Sequence, residues 1–142
     1  MQSGSCRFLL WRVAVDVDGD VVHRVRFLRG APEGAVPIQF TRFLAGKTRS
    51  FAPLVSSATE GDSVYADIYR AVQSIPYGET QTYAEVARAA GTHARVVGNA
   101  MARNPTPLIV PCHRVVATSG IGGFSPDIEI KIALLKMEGS LP

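Results

Sequence analysis

Cys112 is the residue in this chain best placed for chemistry. It stands in Pro111-Cys112-His113-Arg114-Val115, after the stiff, apolar approach Pro105-Thr106-Pro107-Leu108-Ile109-Val110. A thiol is a nucleophile as thiolate, and nearby cationic groups favour that form. Cys112 has a histidine and an arginine as its immediate neighbours. A cysteine in an apolar run otherwise behaves as a small core hydrophobe, and the residues alone leave both readings open. Adjacent side chains do not face each other on a helix or a strand. A proton therefore passes between Cys112 and His113 only through a water bridge or a tight turn. A directly paired histidine would have to be His23 or His93.

Glu138 is the second unusual residue. Ser125-Pro126-Asp127 reads as a helix start with proline at the first helical position. Ile128, Ile132 and Leu135 form its apolar stripe, and Gly139 ends it. Glu138 then lies at the carboxyl end, where the helix dipole disfavours an acid. That placement suggests a partner, a histidine among the candidates; the other reading is an exposed glutamate in the last turn. Cys6 and His23 are too few to make a zinc site, so no metal is expected. Gly120, Gly122 and Gly123 lie in a stretch without the lysine of a phosphate loop and read as a turn or flexible wall.

These residues must be positioned by the elements around them. Residues 7–15 and 21–28 are rich in β-branched and aromatic residues, with turn chemistry from Asp16 to Asp20, and read as a hairpin. Residues 35–46 suit a short helix with Ile38, Phe43 and Leu44 apolar. Ser50 to Gly61 reads as a linker, which divides the chain into residues 1–60 and 61–142. Asp62 is expected to cap a helix to about Ser74, with Val64, Ile68 and Val72 on one face. Thr82 and Glu85 match a capping box, and the helix they open stops at Gly91. Thr92 is expected to cap another, ending before Asn104-Pro105. Two short helices about a Gly-Thr corner form a helix-turn-helix signature. The second, His93 to Arg103, is dominated by small residues, and its Gly98 costs about 1 kcal/mol relative to Ala. Either something large approaches this helix closely or it packs tightly on a neighbour.

Composition narrows the class. The chain has 142 residues, 46% hydrophobic and 19% charged, which excludes a disordered chain. No apolar run nears the roughly 18 residues of a membrane span. Arg7 and Arg12 interrupt the N-terminal apolar stretch, so no signal peptide is expected. Two cysteines suit an intracellular protein with reduced thiols. The net charge is +3, and twelve of the fifteen basic residues are Arg, the better fork for phosphate and base edges. Residues 86–126 contain Arg88, Arg95, Arg103 and Arg114 and no acid. Such a stretch either attracts a polyanion or is a solvated face whose counter-charges come from elsewhere in the fold.

Ile75-Pro76-Tyr77-Gly78-Glu79-Thr80, Thr82-Tyr83, Ala94-Arg95-Val96-Val97-Gly98, Asn104-Pro105, Pro111-Cys112-His113-Arg114-Val115, Leu134-Leu135 and Glu138-Gly139 occur in this order. The series resembles the O6-alkylguanine-DNA alkyltransferases, also called methylated-DNA–protein-cysteine methyltransferases, over about residues 62–139. The resemblance implies an α/β fold. It would have a small N-terminal β-sheet domain (RNase H-like) and a C-terminal helical domain with a winged-helix-like helix-turn-helix. It implies stoichiometric, irreversible transfer of an alkyl group from O6 of guanine in duplex DNA, with O4 of thymine a second candidate position, after base flipping.

By the same resemblance Cys112 is the acceptor, His113 takes its proton through a water, and Glu138 orients that histidine. Asn104 holds the active-site turn, and Tyr83 donates to the guanine ring. Arg95 fills the space of the flipped base, with Gly98, Asn99, Ala100, Ala102 and Arg103 on the DNA side. Val115, Phe124, Ser125 and Lys131 belong to the substrate pocket. The resemblance implies no cofactor, double-stranded DNA as partner, no membrane, and a monomer in the cytoplasm (the nucleus in a eukaryote). Phe124 replaces a frequent tyrosine and Pro126-Asp127 a frequent pair of glycines, both in the alkyl-pocket wall. The alternative function is a lesion-recognition protein without efficient transfer, but such relatives replace the cysteine kept here. A multiple-turnover cysteine hydrolase is disfavoured by the adjacent His113 and the absence of an oxyanion-type motif.

Overall fold

The computed structural model describes every residue except Pro32. Alternating apolar residues build its first half. Strands β1 (Gln2–Phe8), β2 (Trp11–Asp18) and β3 (Val21–Leu28) form an antiparallel meander. Residues 7–15 are therefore not one strand: Phe8 pairs with Trp11 around a two-residue turn at Leu9-Leu10. Leu9 adopts φ 57° and Leu10 is 78% exposed. A leucine in the left-handed region is unusual, so the residue types gave no turn signal. The next turn carries Gly19 at φ 59°, as tight hairpins require.

Helix α1 (Ile38–Leu44) buries Phe40 and Phe43 but leaves Ile38 exposed. The segment expected as a linker is structured. It contributes β4 (Val55–Ser56), parallel to β3, and a 3₁₀ turn over Ser57–Thr59. Ser56 accepts from the Ala58 amide and is fully buried.

The first core cluster sets Val13, Val15, Val22, Val25 and Phe27 of the sheet against Phe40 and Phe43. Leu108, Ile109, Ile130 and Leu134 from the second half of the chain complete it. A second cluster joins α2 (Val64–Gln73), α3 (Tyr83–Ala90) and α4 (Ala94–Ala102). Ser63, not Asp62, caps α2, accepting from the Ala66 amide. Ile68 and Val72 are buried, whereas Val64 in the first turn is exposed. The Thr82–Glu85 capping box is present, and Gly91 closes α3 at φ 73°. His93, not Thr92, is the N-cap of α4, without a side-chain cap bond.

Helix α5 (Ile128–Met137) is capped by Asp127, which accepts from the Glu129 amide and leaves Pro126 outside the helix. Its buried residues are Ile130, Lys131, Leu134 and Leu135, with Ile128 and Ile132 only half-buried. The stripe is rotated because α5 packs on the sheet through Ile130 and Leu134 and also meets the turn at Cys112–Arg114. β5 (Gln81–Thr82) and β6 (Val115–Val116) pair in parallel and join that turn to the start of α3. Among the described residues no helix is long and apolar enough to cross a membrane.

Candidate active site

The loop from Asn104 to Val115 is held by its own polar groups. The Asn104 Oδ1 accepts from the Thr106 amide at 3.0 Å, and its Nδ2 donates to the Val110 carbonyl at 2.9 Å. The Val110 amide donates to Thr106 O at 2.9 Å, and the Cys112 amide to Val110 O at 2.7 Å. Cys112, His113 and Arg114 form one 3₁₀ turn. At three residues per turn, successive side chains diverge by about 120°. The neighbours in sequence therefore part: Cys112 lines a cavity, whereas His113 is wholly buried.

His113 Nε2 lies 2.7 Å from Glu138 Oε2. Arg114 donates from Nε to Glu138 Oε1 at 2.8 Å, from Nη2 to Oε2 at 3.0 Å, and from Nη1 to the Ile75 carbonyl at 2.9 Å. The guanidiniums of Arg49 and Arg114 lie 4.9 and 5.5 Å from the centre of the Tyr77 ring. Burial alone would raise the Glu138 pKa, but the hydrogen bonds from His113 and Arg114 prevail and hold it at about 2. Burial lowers the His113 pKa despite Glu138, with Arg114 and Lys131 acting in the same direction. Glu138 is thus an acceptor only, and a neutral His113 carries its proton on Nε2. The other nitrogen, Nδ1, is buried without a protein partner among the described residues and is left as an acceptor. Burial pushes the Cys112 thiol up, opposed by the Asn104 amide and by Lys131. The thiol is protonated at rest and needs a base.

The cavity measures about 260 Å³. Cys112, Asn104, Tyr83, Gly98, Ala102, Phe124 and Ser125, all expected at the site, line it. So do Gly123, from the stretch read as a turn or flexible wall, and Met101 and Pro107, whose residue types mark no ligand. Phe124 is backed edge-on by Phe27 of β3, with ring centroids 5.8 Å apart. Burial, and then Cys112, raise the Tyr83 pKa, so the phenol keeps its proton. Gly122 has φ 78°, a conformation that favours glycine, and a Cβ there would stand 3.0 Å from Tyr83 Oη and press on the phenol. Val115 and Lys131 do not line the cavity. Lys131 is fully buried behind its wall and donates to the Val115 and Gly123 carbonyls at 2.7 and 3.2 Å. Its ammonium ties the cavity-lining Gly123 to the strand residue Val115, a signal readable only as a lysine inside an apolar helix stripe.

On α4, Arg95, Asn99, Ala102 and Arg103 are exposed and Gly98 is half-buried. A Cβ on Gly98 would meet nothing within 4 Å, so tight helix packing does not account for it. Ala100, expected on the DNA side, faces inward instead. It is fully buried, and its carbonyl accepts from Tyr69 Oη at 2.9 Å. Arg114 likewise leaves the basic surface because its charge is spent on Glu138, so the field of the acid-free segment comes from Arg88, Arg95 and Arg103. Among the described residues no group of three potential metal ligands converges.

Fold and site define a class: an α/β protein that presents a cavity-facing thiol beside a helix-turn-helix. The family model described as 6-O-methylguanine DNA methyltransferase, DNA binding domain, matches residues 63–140. The chain belongs to the 6-O-methylguanine DNA methyltransferase family. The methylated-DNA–protein-cysteine methyltransferase of Methanosarcina acetivorans is 38% identical over 136 residues, 94% of this chain and 83% of that protein. That of Methanopyrus kandleri is 51% identical over 76 residues, 54% of this chain and 58% of its own length. The match thus takes in little more than half of that second relative. Among solved structures, the Mycobacterium tuberculosis OGT in complex with DNA has a TM-score of 0.81 at 30% identity, covering 97% of this chain and 92% of that one.

Proposed function

We propose that this protein repairs DNA by moving an alkyl group from O6 of guanine to Cys112, once per molecule. The observation that carries the reading is the placement of the Cys112 thiol in the cavity, with the buried His113–Glu138 pair starting from the next residue of the same 3₁₀ turn. Family membership and the DNA-bound relative support DNA as the partner.

The chemistry follows from the protonation states. Nδ1 of neutral His113 takes the thiol proton through one water. The thiolate sulfur attacks the alkyl carbon, a carbon–sulfur bond forms, and the carbon–oxygen bond breaks with its electron pair going to the guanine. Tyr83, still protonated, gives its phenolic proton to the guanine ring, so guanine leaves neutral, and the proton taken from the thiol passes from His113 through water to restore the Tyr83 phenol. The thioether formed stands outside the reversible cysteine oxidation states, hence one event per protein. A base in the stack is out of reach, so it must be flipped, at a cost of a few kcal/mol. Arg95 on exposed α4 is assigned to the vacated place, and the open Gly98 admits the backbone of the duplex into close contact.

In this reading residues 61–142 carry DNA binding and transfer, and residues 1–60 support them. A buried reduced thiol and a DNA substrate fit an intracellular, cytoplasmic protein. Intact mass after incubation with excess duplex containing O6-methylguanine tests the proposal. One added methyl group mapped to Cys112 and saturating at one equivalent is expected. Bound duplex with no adduct would leave a lesion-recognition protein in its place.

A further inference from the structure

The first half of the chain touches the acceptor loop through polar groups as well as through the core. The Val25 amide on the edge of β3 donates to the Pro105 carbonyl at 2.8 Å. Beside it, Ser56 Oγ and Thr106 Oγ1 are 2.6 Å apart, and both residues are fully buried. Thr106 is the residue whose amide Asn104 accepts and whose carbonyl receives the Val110 amide. Val110 O in turn takes both the Asn104 amide and the Cys112 amide. An unbroken chain of hydrogen bonds therefore runs from Ser56 through Thr106, Asn104 and Val110 to the backbone of Cys112. Buried hydroxyls bonded only to each other and to backbone have one geometry available, because leaving either unpaired is costly.

We propose that Ser56 is a positioning residue for alkyl transfer, fixing through Thr106 the loop that aims Cys112. The inference rests on the reading of Cys112 as the acceptor. Small misplacements of a nucleophile cost rate without costing substrate affinity. Ser56 lies away from the cavity lining and from α4, so DNA binding has no reason to change.

The test is single-turnover transfer from O6-methylguanine duplex at increasing DNA concentration, for wild type, Ser56→Ala, Ser56→Cys and Ser56→Thr, with melting curves alongside. Ser56→Ala is expected to lower the saturating rate by about tenfold with an unchanged half-saturating DNA concentration. Ser56→Thr, which keeps the hydroxyl for both Thr106 and the Ala58 amide, is expected to restore the rate. Ser56→Cys keeps the shape with a weaker donor and is expected to fall between them; it decides the matter if Ser56→Ala does not fold. An unchanged saturating rate in the folded Ala or Cys variant would overturn the inference, as would a Thr variant no faster than Ala. Wild type that binds duplex but forms no adduct would instead overturn the acceptor reading itself.

Discussion

Arg114 clasps Glu138 alongside His113, donating to both carboxylate oxygens at 2.8 and 3.0 Å and sharing Oε2 with the histidine. The carboxylate is thereby neutralised before the histidine is counted. Burial and Arg114 together then keep His113 unprotonated, below its ordinary value of 6.5. The expected pH profile of transfer is flat through pH 6.5 and falls only at lower pH. Arg114→Gln removes one of the charges that oppose imidazolium, so its acid limb moves to higher pH. Rates measured from pH 5 to 8 on both proteins decide this, and superimposable profiles would remove Arg114 from the proton balance.

Cys112→Ala abolishes methyl transfer. The side chain is small and its loop is held by backbone and Asn104 bonds that do not involve sulfur, so duplex affinity stays within about twofold, a few tenths of a kcal/mol. Fluorescence anisotropy with labelled duplex, beside the transfer assay, separates the two properties. Equal loss of both would make Cys112 structural.

Arg95→Ala slows repair of duplex by about tenfold, since the replaced base is no longer held out of the stack. Transfer from free O6-alkylguanine base, which needs no flipping, is expected to be nearly unaffected. The ratio of the two rates is the measurement; a ratio equal to that of wild type sinks the base-displacement role.

Gly98→Ala is expected to separate stability from function. The added Cβ meets no atom of the protein, and Ala is favoured over Gly in a helix by about 1 kcal/mol. The melting temperature rises while duplex binding and transfer fall, because the methyl stands at the cavity lining where DNA must come close. A variant that is more stable and equally active would mean that nothing approaches this position.

Acid stability reports the Glu138 cluster. The Glu138 carboxyl has an ordinary pKa of 4.5 and a folded value of about 2, so its contribution is complete above pH 4.5 and is lost as pH falls toward 2. His113, lowered on folding, adds a loss as pH drops below 6.5, where only the unfolded chain takes up the proton. Denaturant unfolding of wild type and Glu138→Gln should differ most near neutral pH and converge toward pH 2. A difference independent of pH would contradict the assignment.

Much of this site was readable in the residue types because its chemistry is local. The Thr82–Glu85 box is a favoured helix start, whereas Cys112 beside His113 and Glu138 at a helix end are unusual choices at their positions, and both kinds of signal are local. Glu138 read as a misplaced charge that suggests a partner or as an exposed last-turn glutamate; His113 as that partner came from the resemblance alone. Arg114 was not legible, because it reads equally well as surface charge, and only the turn direction of the 3₁₀ segment sends it inward. Lys131 and Ala100 failed for a similar reason: their side depends on helix rotation, which long-range packing of α5 and α4 sets. β4 and the turn at Leu9-Leu10 escaped notice because a two-residue strand and a turn made of leucines have no pattern of their own. The Ser56–Thr106 bond joins residues fifty apart in sequence, a distance no local motif spans.

Helix α4 is secured from behind by Val97, Ala100 and the Tyr69 hydroxyl, while Arg95, Asn99 and Ala102 make its exposed front. Two selective demands therefore act on interleaved residues of one short segment and meet at Gly98, where helix stability and close approach pull in opposite directions. Inherited change on the back is filtered by whether the chain folds; change on the front is filtered by what it holds. Arg95 and Asn99, exposed and outside the cavity lining, can therefore be exchanged without touching the core beneath them.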